Sequence, residues 1–66
     1  MERGTISSYD RVSGAGTISR SGDMDVRFNA NRIIGNRNDL KLGDRVWFEV
    51  EVMQSNHAAI NVRKCM

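Results

Sequence analysis

One segment of the chain alternates apolar and polar residues with a strict period of two. Its apolar members are Val46, Phe48, Val50 and Val52, and the turn sequence Leu42-Gly43-Asp44 precedes it. Such alternation indicates a β-strand with one buried and one exposed face. We therefore expect Phe48 and the three valines to point into a core and Trp47 to point outward.

The remainder of the chain carries shorter strand patterns, and no segment has apolar residues at helical spacing. Glycines and β-branched residues are frequent and proline is absent, which favours strands over helices. The sequence predicts further strands near residues 4–9, 14–19, 24–29 and 58–63. Segment 30–40 is rich in asparagine, and we expect a long loop there with at most one helical turn.

The small size of the chain favours a closed arrangement of these strands. Its 66 residues predict a single domain spanning residues 1–66. Cys65 is the only cysteine and no set of Cys and His residues suits structural zinc, so neither disulfides nor metal can reinforce the core. Five short strands without such support favour a closed or nearly closed all-β barrel, which leaves no exposed strand edge.

The charge balance gives only a weak indication of partners. Ten Lys and Arg residues face eight Asp and Glu residues, and eight of the ten cations are arginine. Arginine grips phosphate bidentately and stacks on planar groups, so this bias favours nucleic acid, although a net charge of +2 also serves solubility alone. The lack of a long apolar run and of a signal-like start, with a single thiol, predicts a cytoplasmic protein without membrane contact.

Five short motifs follow one another along the chain. They are Gly4-Thr5-Ile6, Gly14-Ala15-Gly16-Thr17-Ile18, Asp25-Val26-Arg27-Phe28, Leu40-Lys41-Leu42-Gly43-Asp44-Arg45-Val46-Trp47-Phe48 and Ala59-Ile60-Asn61-Val62. In this order and spacing they resemble the bacterial cold-shock proteins over nearly the whole chain. The resemblance implies a small five-stranded antiparallel barrel of the oligonucleotide-binding (OB) type, which binds single-stranded nucleic acid on an aromatic platform.

The chain departs from the cold-shock pattern at this platform. The family's aromatic and histidine positions correspond here to Ser8, Ala15, Thr17, Arg27, Asn29 and Ala30, and its flanking lysines to Ser7 and Ser13. Tyr9 alone keeps an aromatic ring. Since stacking of a base on an aromatic ring is worth about 1–3 kcal/mol, the loss of several rings should weaken binding greatly.

The resemblance and the arginine bias together predict weak, mainly electrostatic binding of single-stranded DNA or RNA. The candidate contact residues are Tyr9, Arg11, Arg27, Asn29 and Arg32. Arg27 takes a platform position and can stack its guanidinium on a base, whereas Arg11 and Arg32 lie on loops beside the same face.

An alternative function of a different class is a protein-interaction or self-associating module that no longer binds nucleic acid. Trp47 is its candidate anchor, because tryptophan is enriched at interface hot spots. A simpler role for this ring is packing at the periphery of the core, since single exposed aromatic residues are common. A homodimer is one form that the self-associating module would take.

No pattern in the sequence points to catalysis, to a cofactor or to a metal. His57 has no nearby pattern of Asp, Ser or Cys that would supply a catalytic partner. Asp23 and Asp25 lack the further ligands of a calcium loop, and Gly14-Ala15-Gly16 is not followed by the Lys-Ser/Thr of a phosphate loop. We expect a binding protein rather than an enzyme.

Overall fold

The computed structural model describes residues 1–54 and 56–65, apart from the side chain of Met53. These residues form five strands and two short 3₁₀-helices. The strands are β1 (Glu2–Tyr9), β2 (Ala15–Ser19), β3 (Val26–Asn29), β4 (Arg45–Met53) and β5 (Asn56–Lys64). All five predicted strands are present, with ends that differ from the predicted ones by a few residues.

The five strands close into a barrel in the order β1-β2-β3-β5-β4, with β4 returning to β1. Neighbouring strands run antiparallel except β3 and β5, which pair in parallel through Phe28 and Ala59. This is the topology of the OB fold, and the predicted fold class is confirmed, with one parallel pairing among otherwise antiparallel strands.

The core fills the inside of the barrel with apolar side chains from every strand. Phe48 is completely buried and lies among buried residues that come from all five strands and the loop before β4: Ile6, Ile18, Val26, Phe28, Leu40, Val46, Ala59 and Val62. The prediction that Val46 and Phe48 point into the core is therefore confirmed. Trp47, between these two residues, points outward as expected and is half-buried.

The prediction that Val52 points into the core is wrong. Val50 is half-buried, whereas Val52 keeps 62% of its surface exposed. The reason is the length of the hairpin formed by β4 and β5. Val52 pairs with His57 near the hairpin's tip, beyond Phe48, the last residue of β4 that pairs with β1. The alternating pattern thus continues past the end of the barrel.

A bulge in β5 changes which of its residues face the core. The register of β4 and β5 shifts between Trp47 and Glu49, and Asn61 has a positive φ of 52°. The extra residue brings both Ala59 and Val62 inside, whereas Ile60 is only half-buried. The Asn61 amide donates to a Glu49 carboxylate oxygen at 2.8 Å and so joins the two strands across the bulge.

Gly16 allows β2 to lie close against the core. A Cβ atom at this position would lie 2.5 Å from the Phe28 ring and 2.7 Å from the carbonyl oxygen of Ser8. Because neither neighbour has room to move away, the absence of a side chain permits the tight approach of β1, β2 and β3.

The long loop before β4 contains two 3₁₀-helices, Ala30–Arg32 and Arg37–Asp39, rather than the one helical turn expected. Each begins after an asparagine whose side chain accepts a backbone hydrogen bond, Asn29 from Asn31 and Asn36 from Asn38. None of the described residues belongs to a helix with the length and hydropathy needed to span a bilayer.

Candidate nucleic-acid interface

The outer surface of the second half of β1, of β2 and of β3 is the region where the candidate residues meet. We call it the β1–β3 face and define it by Ser7, Ser8, Ala15, Thr17, Arg27 and Asn29. In the register of the sheet, Thr17 lies between Ser8 on one side and Arg27 on the other, and Ala15 lies opposite Asn29. The face therefore brings together side chains that are far apart in the sequence.

A cluster of hydroxyl groups occupies the β1 side of this face. The pairing of β1 with β2 shifts between Ile6 and Ser8, so that Ser7 and Ser8 are both exposed. The hydroxyl of Thr17 lies 2.7 Å from that of Ser7 and 2.7 Å from that of Ser8. This side of the face therefore presents small hydroxyl groups.

Arg27 is the cation of the β1–β3 face and lies on its β3 side. It is exposed on β3, between Thr17 on β2 and Ala58 on β5. The ion pairs found among the described residues use Arg20 and Lys64, so Arg27 has no carboxylate partner there. Its guanidinium group is available to an anion.

Asn29 and Arg32 lie at the end of the face where β3 passes into the first 3₁₀-helix. The side-chain oxygen of Asn29 accepts a hydrogen bond from the backbone N–H of Asn31 at 3.2 Å. This cap uses the acceptor of the amide and leaves its two N–H donors for a ligand. Arg32 is the exposed last residue of the same helix.

The structure gives Tyr9 and Arg11 packing roles that the sequence did not predict. The half-buried ring of Tyr9 has its centroid 5.5 Å from that of Phe28, and its hydroxyl donates to the Arg37 carbonyl oxygen at 3.2 Å. The Arg11 guanidinium donates to the Leu40 carbonyl oxygen at 3.0 Å. Both residues hold the β1–β2 loop against the loop before β4, at the border of the candidate face.

Arg37 also connects these two loops, and the sequence does not predict this role. Its guanidinium donates to the Arg11 carbonyl oxygen at 2.7 Å, so Arg11 and Arg37 connect the same two loops in opposite directions. The asparagine-rich segment around it shows no periodicity. The only local signal was Asn36, the cap of the helix that contains Arg37.

Trp47 lies away from this face, on the sheet formed by the first half of β1 with β4 and β5. Its cross-strand neighbours are Arg3 and Arg63. The guanidinium carbon of Arg3 lies 5.3 Å from the centroid of the Trp47 ring, which is the geometry of a cation–π contact. Arg3 thus already lies against part of the half-buried ring.

A groove of about 430 Å³ lies beside Arg27, between the β2–β3 turn and the start of β5. Its charged residues have both signs: Arg20, Asp23, Asp25 and Arg27. Within residues 1–54 and 56–65, no three His, Cys, Asp or Glu side chains gather as metal ligands would. A scan against protein-family models and a search of the curated proteins both find no match for this chain.

Proposed function

We propose that this protein binds single-stranded DNA or RNA weakly, through electrostatic contacts made by the β1–β3 face. The observation that carries the proposal is the placement of Arg27, exposed and without a carboxylate partner among the described residues, on this face of an OB-type barrel. Faces of this kind on OB folds bind oligonucleotides. We further propose that the chain is a divergent cold-shock-like domain that acts in the cytoplasm.

The composition of the face indicates the type of contact. Serine, threonine and alanine side chains offer no ring on which a base could stack, and Tyr9 is half-buried against Phe28. Arg27 instead grips a phosphate through two parallel N–H donors or lies flat on a base. The Asn29 amide and the hydroxyl cluster supply hydrogen bonds to phosphate or sugar, which position a strand without selecting a sequence.

Two acidic residues reduce the attraction. Asp25 lies two residues before Arg27 in the sequence. Asp23 and Asp25 both line the groove that Arg27 also lines. Their negative charge lowers the positive potential that a phosphate backbone meets. The expected affinity is accordingly low and falls steeply with salt, because each phosphate contact releases a counterion.

Fluorescence anisotropy of a labelled single strand, measured over a series of salt concentrations, tests this function. Arg27→Gln should weaken binding and lower the slope of log affinity against log salt by about one. Arg63→Gln is the matched control, because it removes the same charge from an exposed site on β5 next to Trp47. Equal losses in the two variants would show that only overall charge matters and would contradict the proposal.

A protein-interaction module is the second candidate, and Trp47 is the observation that favours it. The ring is half-buried on the outside of the barrel, so part of it is open to a partner or to a second copy of the chain. Light scattering over a wide concentration range separates the candidates. Self-association that Trp47→Ala abolishes would support this function, and a strict monomer would contradict the self-associating form.

A further inference from the structure

A second depression lies where the first half of β1 passes between β2 and β4. It has a volume of about 230 Å³ and is lined by Arg3, Gly4, Thr5, Ser19, Ser21 and Arg45. We call it the Arg3–Arg45 cradle. We propose that it binds a phosphate group, at a site separate from the β1–β3 face.

The register of the sheet assembles the cradle from three strands. Thr5 on β1 lies opposite Ser19 on β2 and opposite Arg45 on β4. Gly4, between Arg3 and Thr5, faces the core, as does Val46, next to Arg45. Arg3 therefore points outward from β1 on the same side as Thr5. Ser21 adds a further hydroxyl from the turn that follows β2. Two arginines and three residues with hydroxyl groups therefore line one small space.

The charge of the cradle is positive. No carboxylate is among its lining residues. Glu2, the acidic residue next to Arg3 in the sequence, forms an ion pair with Arg20, with 3.0 Å between Glu2 Oε1 and Arg20 Nη1. In the part of the chain that the structure describes, the ion pairs involve Arg20 and Lys64, and so leave Arg3 and Arg45 without an acidic partner. An anion between these two cations relieves the repulsion between them.

The Trp47 ring limits the freedom of one of the two cations. Because the Arg3 guanidinium lies against this ring, with 5.3 Å between its carbon and the ring centroid, the side chain is ordered before any ligand arrives. Ordering a flexible arginine in advance lowers the entropic cost of binding. The cation–π contact thus holds Arg3, a lining residue of the cradle, against Trp47.

The donors and the size of the cradle favour phosphate. Two guanidinium groups and three hydroxyl groups supply more donors than the two oxygens of a carboxylate can use, whereas phosphate presents its oxygens in several directions. The volume lies below the range of about 300–1,000 Å³ that is typical of sites for larger organic ligands. The space suits one phosphate group, either free or at the end of a larger molecule.

An amide chemical-shift titration of the whole chain with inorganic phosphate, against sodium chloride at matched ionic strength, tests the cradle. We expect saturable shifts at Gly4, Thr5, Ser19 and Ser21 with phosphate alone. Arg45→Gln should weaken phosphate binding about tenfold, because it removes a charge-assisted pair of hydrogen bonds. Arg45→Lys keeps the charge but not the bidentate geometry and should give an intermediate loss.

Arg63→Gln serves as the control, since it lowers the charge on the same sheet outside the cradle. Equal weakening by Arg63→Gln and Arg45→Gln would overturn the proposal, as would identical shifts with chloride and with phosphate. All variants must keep the dispersed amide spectrum of the parent chain. Arg45 is exposed, so its substitution leaves the core intact.

A short oligonucleotide carrying a 5′-phosphate, compared with its 5′-hydroxyl twin, identifies the source of the phosphate group. Cradle shifts with the phosphorylated strand alone indicate a terminal phosphate, and equal shifts with both strands indicate the backbone. Absence of cradle shifts with both strands and with inorganic phosphate overturns the proposal. Shifts at Ser8, Thr17 and Arg27 report on the other face, so the two sites succeed or fail independently.

Discussion

Arg27 on β3 lies directly opposite Thr17 on β2, on the β1–β3 face. This pair places the cation of the face next to a threonine hydroxyl rather than an aromatic ring. The neighbouring hydroxyls of Ser7 and Ser8 both contact Thr17. The face therefore combines one guanidinium group that can bind phosphate with small side chains that offer no aromatic ring for base stacking.

Thr17→Phe should strengthen binding of single-stranded DNA. The side chain is half-buried and points outward, so a ring at this position would lie on the surface beside Arg27. One base stacked on it would add about 1–3 kcal/mol, which corresponds to roughly fivefold to 150-fold in affinity. Val52→Phe adds a ring at an exposed site on the β4–β5 hairpin and should leave the anisotropy titration unchanged. No gain with Thr17→Phe would place the binding surface elsewhere.

Asp25→Asn should also strengthen binding, by removing a negative charge from the groove that Arg27 lines. The effect should diminish at high salt, because exposed charges are screened within about 10 Å at 0.1 M salt. Glu49→Gln is the comparison. It makes the same change in net charge on β4 and keeps a side-chain oxygen to accept the Asn61 hydrogen bond. An equal gain in both variants would indicate a general charge effect.

Tyr9→Phe should lower stability slightly and leave nucleic-acid binding nearly unchanged. The variant loses the hydrogen bond from the Tyr9 hydroxyl to the Arg37 carbonyl oxygen, worth about 1 kcal/mol, and keeps the ring against Phe28. Thermal melting and anisotropy of the same sample measure the two effects. A large loss of affinity without loss of stability would show that the hydroxyl contacts the ligand directly.

Gly16→Ala should destabilise the barrel. The added Cβ would lie 2.5 Å from the Phe28 ring, and inserting atoms into a well-packed core costs about 1–3 kcal/mol. For a domain of this size each kcal/mol lowers the melting temperature by about 4–8 °C. Ser19→Ala, at an exposed position of the same strand, should melt close to the parent chain. Equal melting temperatures for Gly16→Ala and the parent would contradict the close packing of β2 and β3.

The sequence predicts most of this fold because the alternation of apolar and polar residues along a strand indicates which side chains are buried. Val46 and Phe48 were placed correctly, since a strand inside a closed barrel buries every second side chain. The prediction that Val52 is buried is wrong, because the length of the barrel depends on pairing between distant strands. The bulge at Asn61 breaks the period of two, and nothing in the local pattern indicates it.

The candidate site was predictable only in part. Arg27 and Asn29 fall on one face because residues two apart on a strand point the same way. The roles of Tyr9 and Arg11 depend on contacts with Arg37 and Leu40 across the fold, which no sequence spacing reveals. The Arg3–Arg45 cradle likewise requires the register of β1 with β2 and β4.

The most direct test of the proposed function is an amide chemical-shift titration with a short, thymine-rich single strand at low and near-physiological salt. Binding by the β1–β3 face predicts shifts that cluster on Ser8, Thr17, Arg27 and Asn29 and that shrink as salt is raised. Shifts confined to other surfaces, or no shifts at millimolar strand concentration, would contradict nucleic-acid binding by the β1–β3 face.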